Sequence, residues 1–482
     1  MFPALPSIDV MQERFRARDA SFNGKFLTGV ITTGIYCLPS CPARKPLPSN
    51  VKFFRSEEEA RQEGLRACRR CRPDHYYRAH DPGLELSESL VDRMRQDPSE
   101  VAGVQALADV AGTSASRINE LFRRHYHSTP AALLRRTRIE LAARQIVDTE
   151  FSILDIALAS GFESLSAFHD SFRKEMAMTP GAYRALKAPG MFKLALPASY
   201  RATNTLRMWG RDPESLLEAV RGNTILKGIA GPGGAGVLEL RIEPREAVCI
   251  PHGALTAGGT GPFLHQIAMR ILGLRADPSP FERRVAADPA LARLVEGRRG
   301  LRIPQTSNVY EAVLWAIAGQ QVNLPFAFRL RRTVVELTGE PAGDGLYAHP
   351  TPERVAALDY DDLTRRQFSR SKAAYTIDIA REIAARRLDV ESFATQSATR
   401  VRRALLSSRG IGEWSANYVM MRGCGFADCV PAGDTGLTSG LQQFFSLQER
   451  PDAHGTAKLM ERFAPHRSLA TFHLWMLKGD PA

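Results

Sequence analysis

Four cysteines near the N-terminus have the side-chain type and the spacing of a metal site. Cys37 and Cys41 form one close pair, Cys68 and Cys71 form another, and twenty-six residues separate the two pairs. Each pair can present two thiolates from one tight turn, and two such turns complete a tetrahedral Zn²⁺ site. Disulfides are the alternative. We expect reduced thiols, because Met1–Val10 has neither the basic start nor the long apolar stretch of a secretory leader.

Arginines surround both cysteine pairs. Arg44 follows the first pair in the sequence PARK, and Arg70 and Arg72 lie within and after the second pair in CRRCRPD. Four thiolates around one Zn²⁺ carry a net negative charge, so basic neighbours help such a site to approach a polyanion. The arrangement predicts contacts of these three arginines with a nucleic-acid backbone.

The sequence around the cysteines, FLTGVITTGIYCLPSCPAR followed by NVKFFRSEEEARQEGLRACRRCRPD, resembles the N-terminal zinc domain of the Ada alkylation-response proteins. In that family the first cysteine is a zinc ligand and also takes a methyl group irreversibly from a methylphosphotriester in DNA. The resemblance implies that Cys37 is the methyl acceptor and that Cys41, Cys68 and Cys71 complete the ligand set. Zinc keeps a thiol deprotonated at neutral pH, and the thiolate is the nucleophile.

A second candidate site lies in SSRGIGEWSANYVMMRGCGFADCVPAGDTGL, Ser407–Leu437. Gly410 and Gly412 allow a hairpin between two helices, with backbone N–H groups directed at a phosphate. Asp434 follows Gly412 by twenty-two residues, where a helix should begin. Together these features resemble the helix-hairpin-helix DNA glycosylases, and among them the AlkA-type 3-methyladenine glycosylases. The resemblance covers roughly residues 192–482.

The resemblance implies that Asp434 is the catalytic carboxylate. Cleavage of an N-glycosidic bond develops oxocarbenium charge on the deoxyribose, which a fixed carboxylate stabilises, and the same group can orient the attacking water. The alternative is an aspartate that only caps a helix. Related enzymes that form a Schiff base carry a lysine two residues after the second glycine, where this chain has Trp414. We therefore expect a monofunctional glycosylase without strand-cleaving lyase activity.

Aromatic residues are expected to line the base pocket. By the same resemblance, Trp414, Tyr418 and Trp475 form its walls. Alkylated purines such as 3-methyladenine and 7-methylguanine are cationic, and an indole face attracts a cation by about 0.5–2 kcal/mol. The alternative places both tryptophans in the hydrophobic core.

One residue departs from the AlkA pattern. In VLWAIAGQQVNLPFA, Val313–Ala327, Gln321 occupies the position at which AlkA-type enzymes carry an aliphatic wedge that fills the gap left by the flipped base. A glutamine can fill this space and hydrogen-bond to the orphaned partner base, so base flipping is still expected.

Between the two candidate sites lies an internal repeat. VQALADVAGTSASRINELFRRHYHSTPAALLRR and ILDIALASGFESLSAFHDSFRKEMAMTPGAYRA align at an offset of about fifty residues. Ala108 and Gly112 in the first copy correspond to Ala157 and Gly161 in the second. In each copy the alanine lets two helices cross closely, and the glycine makes the turn between them. Two such helix-turn-helix units joined by a basic helix resemble the DNA-binding domain of the AraC/XylS regulators, which is also part of the Ada architecture.

In helix-turn-helix units the first turns of the second helix enter the major groove. Position in the repeat then selects the candidates for DNA contact, which are Ser114, Ser116, Arg117 and Glu120 in the first copy and Glu163, Ser164, Ser166 and His169 in the second. Each of them could touch a base edge, a phosphate or only solvent.

The region between the repeat and the C-terminal site is expected to form a small α+β unit. FKLALP, VLELRIEP and EAVCIP read as strands, GIAGPGGAG as a hairpin turn, and DPESLLEAVRG and PFLHQIAMRILGL as helices. We therefore expect a multidomain α+β protein. Its predicted parts are a small zinc domain with four cysteine ligands (1–80), an all-α double helix-turn-helix (84–187), a small α+β, TBP-like subdomain (191–300) and an all-α helix-hairpin-helix domain (301–482).

The composition favours nucleic acid as a partner and excludes a membrane span. The 482 residues include 64 Lys and Arg against 52 Asp and Glu, a formal net charge of +12, which suits a polyanionic partner. No apolar run approaches the roughly eighteen residues that cross a bilayer. Cys249, Cys424 and Cys429 lie outside any PCHR-type sequence, so we expect no second methyl acceptor. These features predict a cytoplasmic protein of the bacterial nucleoid.

Together these features predict a bifunctional alkylation-response protein with Zn²⁺ as cofactor and double-stranded DNA and RNA polymerase as partners. The first half would take methyl groups from DNA methylphosphotriesters and switch transcription, and the second would excise alkylated bases by hydrolysis. One alternative is a regulator whose glycosylase-like domain only clamps DNA, and the motif around Asp434 argues against it. The other is a repair enzyme that uses its N-terminal domains only to scan DNA, and the duplicated helix-turn-helix argues against that.

Overall fold

A computed structural model describes residues 5–19, 22–77, 81–188 and 190–477 of the chain. Residues 1–4, 20–21 and 78–80 of the predicted zinc domain, residue 189, and residues 478–482 of the predicted glycosylase domain lie outside this description. The chain divides into two compact units, Met1–Leu86 and Ser87–Ala482.

The first unit is a small sheet with short helices. Its elements are α1 (Ile8–Ala17), β1 (Leu27–Val30), β2 (Ile35–Cys37), β3 (Val51–Phe54), α2 (Glu57–Gln62), β4 (Arg66–Ala67) and α3 (Pro73–Tyr77). The strand order is β3-β1-β2-β4, and the β2–β4 pair is parallel, with Tyr36 opposite Ala67. Because parallel strands end at the same edge of a sheet, Cys37 at the end of β2 and Cys68 directly after β4 come together.

The second unit begins with the predicted repeat. Helix α4 (Pro82–Gln96) precedes the repeat, and the division between the two units falls within it. The helices of the repeat are α5 (Val104–Val110), α6 (Ala115–Tyr126), α7 (Pro130–Asp148), α8 (Ile153–Ala159), α9 (Leu165–Met176) and α10 (Pro180–Arg184). The two copies share their capping residues. Ser114 and Ser164 cap α6 and α9, while Thr129 and Thr179 cap α7 and α10, each followed by a proline at the first helical position. The predicted double helix-turn-helix is confirmed.

An antiparallel sheet of five strands follows, in the order β5-β9-β8-β7-β6. The elements of this region are β5 (Phe192–Ala195), α11 (Ala202–Trp209), β6 (Glu218–Arg221), β7 (Thr224–Gly231), β8 (Gly234–Ile242), β9 (Glu246–Pro251), α12 (Gly261–Ile271) and α13 (Ser279–Ala286). The three predicted strands, the hairpin between β7 and β8 and the helix α12 are confirmed.

The helix predicted for DPESLLEAVRG is wrong, because the end of this segment is the strand β6. A Gly222-Asn223 turn, with Gly222 at φ 60°, joins β6 to β7 as a hairpin. The pairing places Glu218 opposite Lys227, and their side chains form a buried ion pair. A contact made across the sheet therefore outweighs the local preference of the segment for a helix.

The rest of the second unit is mainly helical. Its elements are α14 (Val309–Ala318), α15 (Leu324–Thr338), β10 (Glu340–Gly343), β11 (Leu346–Ala348), α16 (Pro352–Ala356), α17 (Tyr360–Thr364), α18 (Arg370–Ala384), α19 (Ala398–Ser407), α20 (Glu413–Tyr418), α21 (Thr435–Phe445), α22 (Ala453–Met460) and α23 (Arg467–Met476). The hairpin β10–β11 packs on β7, where a Cβ at Gly228 would lie only 2.0 Å from the Tyr347 carbonyl oxygen.

The helix-turn-helix region and the five-stranded sheet share one hydrophobic core. Phe168 and Phe172 of α9 belong to the same buried cluster as Phe192 and Leu194 of β5. Helix α9 of the helix-turn-helix region is therefore packed on the rest of the second unit rather than tethered to it. In the described part of the chain, no helix has the length and apolar character needed to cross a membrane.

Candidate metal centre and active site

The four N-terminal cysteines converge on one point. The Sγ atoms of Cys37, Cys41, Cys68 and Cys71 all lie within 4.8 Å of one another, and Cys71 alone among the four is more than slightly exposed. The Leu38 N–H donates to Cys71 Sγ at 3.4 Å, a bond that favours a thiolate there. This geometry suits four thiolates around one tetrahedral metal ion.

The chemistry of the cysteine cluster also fits a divalent cation. Hydrogen bonding with Cys41, then with Cys71, and burial raise the pKa of Cys37, while the same bond with Cys37 lowers the pKa of Cys41. By themselves the thiols therefore favour one thiolate at the expense of its neighbours. Four thiolates at this spacing need a cation among them, and Zn²⁺ is the ion that such a donor set prefers.

The predicted arginines are exposed, and a lysine that the sequence analysis missed lies near the cysteine sulfurs. Arg44, Arg70 and Arg72 are all exposed. Lys45 is half-buried, and its Nζ donates to the Pro39 carbonyl at 3.3 Å. Burial lowers the pKa of Lys45, and the nearby Cys41 thiolate partly offsets this effect. The sequence PARK, which drew attention to Arg44, also contained this residue.

Removing the metal is expected to unfold the first unit. We expect about one Zn²⁺ per chain, released by a strong chelator together with loss of the N-terminal structure, because the small sheet depends on the ligands at its edge. Elemental analysis and limited proteolysis measure the two effects. The double variant Cys41→Ser/Cys68→Ser should bind no zinc and the control Cys424→Ser should keep it, and stoichiometric metal in the double variant would refute the ligand assignment.

A cavity of about 1590 Å³ in the second unit brings the predicted C-terminal site residues together. It opens between the region of α11 and β6 and the helical region. The predicted residues on its wall are Gln321, Gly410, Gly412, Trp414, Tyr418, Asp434 and Trp475.

Asp434 is fixed in this cavity by three hydrogen bonds. It is the N-cap of α21, where its Oδ1 accepts from the Leu437 N–H at 2.8 Å. The indole N–H of Trp475 donates to Oδ1 at 2.9 Å, and that of Trp414 donates to Oδ2 at 3.1 Å. The aspartate therefore caps a helix and also faces the cavity. These three donors hold the orientation of the carboxylate.

The aromatic residues form a ladder beside this carboxylate. The Trp414 and Tyr418 rings stack with centroids 5.6 Å apart, and Tyr418 and Trp475 follow at 6.3 Å. Gly436 makes room for this arrangement, since a Cβ there would lie 3.0 Å from Asp434 Oδ1 and 3.1 Å from Trp475 Cδ1. The tryptophans are only half-buried, so they line the cavity instead of filling the core. That the indoles also hold the carboxylate was not predicted.

The hairpin between α19 and α20 has the glycines where the backbone requires them. Gly410 has φ 86°, and a Cβ there would lie 2.2 Å from the ring of Tyr375. Gly412 is the exposed N-cap of α20, with open space around it. The free N–H groups at the start of α20 are thus accessible to a phosphate.

The loop that carries Gln321 is tied to this hairpin. Gln320 Nε2 donates to the Gly410 carbonyl at 2.7 Å and to Ser415 Oγ at 3.0 Å. Gln321 itself is exposed on the cavity rim with φ 53°, a left-handed conformation that costs a residue with a Cβ some strain. The contacts of Gln320 fix the backbone from which the Gln321 side chain extends.

A buried network of charges forms another part of the cavity wall. Lys227 Nζ lies 2.7 Å from Glu218 Oε2 and 2.7 Å from Glu311 Oε1. Arg331 contacts Glu218 at 2.6 Å and Asp212 at 3.3 Å. Burial alone would raise the pKa of Glu311, but the charge of Lys227 holds that pKa well below its usual range. The sequence analysis missed this network, because its members come from distant segments.

Arg422 lies on the cavity wall and is only 4% exposed. In the described part of the chain its Nε has no hydrogen-bond partner, and its Nη1 lies 3.9 Å from Met208 Sδ. Because buried guanidinium groups normally pair with acceptors, an Nε without a partner is unusual in a residue of the cavity wall.

The residues predicted to read DNA lie at the starts of α6 and α9. The hydroxyl groups of Ser114 and Ser164 serve as the helix caps. Of the other candidates, His169 is half-buried. The rest are exposed, namely Ser116, Arg117, Glu120, Glu163 and Ser166. The side chains of Arg117 and Glu120 form an ion pair at 2.7 Å.

Three families of known proteins match the chain. Residues 11–74 match the metal binding domain of Ada, residues 107–186 match a helix-turn-helix domain, and residues 314–466 match the HhH-GPD superfamily of base excision DNA repair proteins. The first match and the sulfur geometry confirm the predicted Zn²⁺ cofactor.

Individual relatives cover the whole chain or its parts. The "Probable bifunctional transcriptional activator/DNA repair enzyme AlkA" of Mycobacterium tuberculosis is 30% identical over 491 residues, 97% of this chain and 95% of that protein. The DNA-3-methyladenine glycosylase of Bacillus subtilis is 32% identical over 202 residues, 41% of this chain and 67% of that protein. The solved 3-methyladenine DNA-glycosylase from Archaeoglobus fulgidus has the same fold, with a TM-score of 0.53 at 20% identity, over 59% of this chain and 97% of that chain.

Proposed function

The chain belongs to the family of bifunctional transcriptional activator/DNA repair enzymes, and on this premise we propose that it senses one product of DNA alkylation and removes another. Its first half takes a methyl group from a methylphosphotriester of the DNA backbone, and its second half excises alkylated bases such as 3-methyladenine and 7-methylguanine. The observation that carries the proposal is the cavity in which Asp434 is held by Trp414 and Trp475.

Base excision follows from what surrounds Asp434. The flipped base stacks on the ladder of Trp414, Tyr418 and Trp475, whose faces attract a cationic purine. When the bond between C1′ and the base breaks, the base leaves with the electron pair and positive charge develops on the sugar. The fixed carboxylate stabilises this charge without reorganising. Water then forms the new bond to C1′ and gives its proton to Asp434 or to solvent.

The donors on Arg422 support a substrate range that includes guanine derivatives. 7-Methylguanine has a carbonyl oxygen on its six-membered ring, where 3-methyladenine has an amino group. A buried guanidinium can donate to that oxygen, and Arg422 lies on the wall of the same cavity as the aromatic ladder. The aromatic faces attract the ring system of either base.

Methyl transfer is assigned to Cys37. Its sulfur forms a bond to the methyl carbon of the triester, the bond from that carbon to oxygen breaks, and the phosphodiester leaves as an anion. Zinc held by the four cysteines keeps the thiol deprotonated at neutral pH. Arg44, Arg70 and Arg72, all exposed, bind the flanking phosphates. The helix-turn-helix pair then selects the promoter, and the bound protein contacts RNA polymerase to change transcription.

Methylation of Cys37 is expected to tighten DNA binding, because it removes one negative charge near the phosphates. A unit charge about 6 Å from a phosphate is worth roughly 0.7 kcal/mol in water and about 3 kcal/mol at an effective dielectric of 20, which corresponds to about threefold to more than a hundredfold in affinity. The test uses a duplex that has been selected for binding the methylated protein. Titrating it with each form of the protein measures the ratio of the two affinities, which should shrink as the salt concentration rises. Equal affinities of both forms at low salt would refute this electrostatic switch.

One experiment tests both halves of the proposed function. The full chain is incubated with duplex DNA treated with a methylating agent, and mass spectrometry then analyses the released bases and the intact protein. We expect free 3-methyladenine and 7-methylguanine, and a protein that has gained one methyl group. Borohydride should trap no covalent complex, because Trp414 occupies the position at which Schiff-base-forming glycosylases carry a lysine. If no base is released, the chain is a regulator whose C-terminal domain only clamps DNA. If bases are released but the protein gains no methyl group, the chain is a repair enzyme only.

A further inference from the structure

The end of α6, the second helix of the first helix-turn-helix, contacts the loop that leads to Asp434. This aspartate loop, residues 426–433, precedes α21. His127 terminates α6, and its Nδ1 accepts the N–H of Asp428 at 3.2 Å. The imidazole also packs edge-on against Phe426, with ring centroids 5.5 Å apart. A residue of the helix-turn-helix region thus holds the backbone six residues before the catalytic carboxylate.

The rest of the aspartate loop is held by the helical region itself. The N–H groups of Cys429 and Val430 donate to Ser468 Oγ at 2.9 Å and to Asn417 Oδ1 at 3.1 Å. Arg467 contacts both carboxylate oxygens of Asp428 at 2.7 Å. Successive amides of the loop therefore have side-chain acceptors, and the helix-turn-helix supplies the first acceptor of the series.

This contact is part of a wider interface between the two regions. Glu88 of α4 accepts two hydrogen bonds from Arg400, at 2.8 and 2.6 Å, and one from Ser397 Oγ at 2.8 Å. His125 Nδ1 lies 2.9 Å from Thr399 Oγ1. Arg400 and Thr399 belong to α19, the first helix of the helix-hairpin-helix. The interface therefore supports both the phosphate-binding hairpin and the aspartate loop.

The internal repeat shows that the helix end does not itself demand a histidine. The residue that terminates α9 in the second copy is Ala177, and it has the same left-handed conformation, with φ 52° in both cases. The backbone is equally strained at the two positions, so the contacts of the ring explain the histidine at the first. Burial lowers the pKa of His127 to about 4, so the ring is neutral at pH 7. The Asp428 N–H then selects the tautomer whose Nδ1 carries no proton and can accept.

We propose that His127 is a positioning residue for Asp434, through which the DNA-reading half of the chain sets the geometry of the base-excision site. The inference rests on the proposed excision function. Without its acceptor the Asp428 N–H would be left unpaired, and the loop would shift to satisfy it. A small displacement of a catalytic group lowers the rate severalfold to a hundredfold. Because the residues that contact DNA would stay in place, the affinity for DNA should not change.

Two substitutions of His127 test this role. His127→Phe keeps a ring against Phe426 and removes the acceptor, whereas His127→Asn supplies a carbonyl oxygen in nearly the same place. In single-turnover excision from a duplex with one 7-methylguanine, we expect His127→Phe to slow the rate constant at least about tenfold. Its affinity for the duplex should stay within about twofold of wild type, and His127→Asn should recover a rate within about threefold.

Thr179→Ala is the matched control. It removes the cap of α10, where Thr179 accepts the Ala182 N–H at 3.2 Å, and so destabilises the same region without touching the aspartate loop. Hydrogen exchange of the Asp428 amide should accelerate in His127→Phe and not in Thr179→Ala. Wild-type excision by His127→Phe, or equal slowing by Thr179→Ala, would overturn the inference. If wild-type protein releases no base, the proposed function fails, and amide exchange at Asp428 alone decides whether His127 positions the loop.

Discussion

Replacing Asp434 with asparagine is expected to lower the rate of base excision about a thousandfold or more and to leave duplex binding within about threefold of wild type. Asparagine has the same shape and is as good a helix cap, so α21 keeps the bond that Asp434 now accepts from the Leu437 N–H. What disappears is the negative charge opposite the developing oxocarbenium ion. Single-turnover release of 7-methylguanine measures the rate, and equilibrium titration with an undamaged duplex measures binding.

The chain supplies a matched control for this substitution. Asp452 caps α22, where it accepts the Gly455 N–H at 2.7 Å, and it is exposed away from the residues that line the cavity. Asp452→Asn makes the same chemical change at another helix N-terminus and should excise at the wild-type rate. If Asp434→Asn keeps more than about a tenth of wild-type excision, Asp434 only caps its helix.

Replacing Cys37 with alanine is expected to abolish methyl acceptance while base excision continues at the wild-type rate. The variant removes the nucleophile, and no other group at the site can repeat the transfer with the same geometry. Because Cys37 also binds zinc, Cys37→Ser is tested beside it, since the serine oxygen can occupy the ligand position with little nucleophilicity at neutral pH. The intact mass of each protein after incubation with methylated DNA measures the transfer.

The two active-site variants control for each other. Asp434→Asn should accept a methyl group as wild type does, and Cys37→Ala should release alkylated bases as wild type does. A methyl group found on Cys41, Cys68 or Cys71 in the Cys37 variants would move the acceptor to another ligand. Loss of excision in a Cys37 variant would mean that the two activities depend on each other.

Local motifs, together with the family resemblances that they carry, were enough to predict the fold class, a zinc site of four cysteines and the residues that meet in the cavity. The cysteine pairs and the Gly410–Gly412 turn are short patterns whose chemistry depends on neighbours in the sequence. The internal repeat was equally visible, because Gly112 and Gly161 mark corresponding turns. For these features the fold follows from backbone requirements that the sequence displays directly.

Features that depend on distant residues could not be predicted in this way. The strand β6 was predicted as a helix, because its pairing with β7 and the contact of Glu218 with Lys227 are tertiary. The rings of Trp414 and Trp475 were expected to line a pocket, but the hydrogen bonds from their indole N–H groups to Asp434 could be seen only in the folded geometry. His127 gave no signal, since a histidine after a helix is common and its partner lies 301 positions away.

The buried charges beside the cavity restrict how genes encoding this protein can recombine. Glu218 and Lys227 come from the sheet, whereas Glu311 and Arg331 come from α14 and α15. A crossover between these pairs would join a sheet from one ancestor to helices from another, and any mismatch would leave a buried charge unpaired at a cost of about 3–5 kcal/mol. The sheet and the helices are therefore expected to descend together as one block, and viable chimeras should exchange them only as a whole.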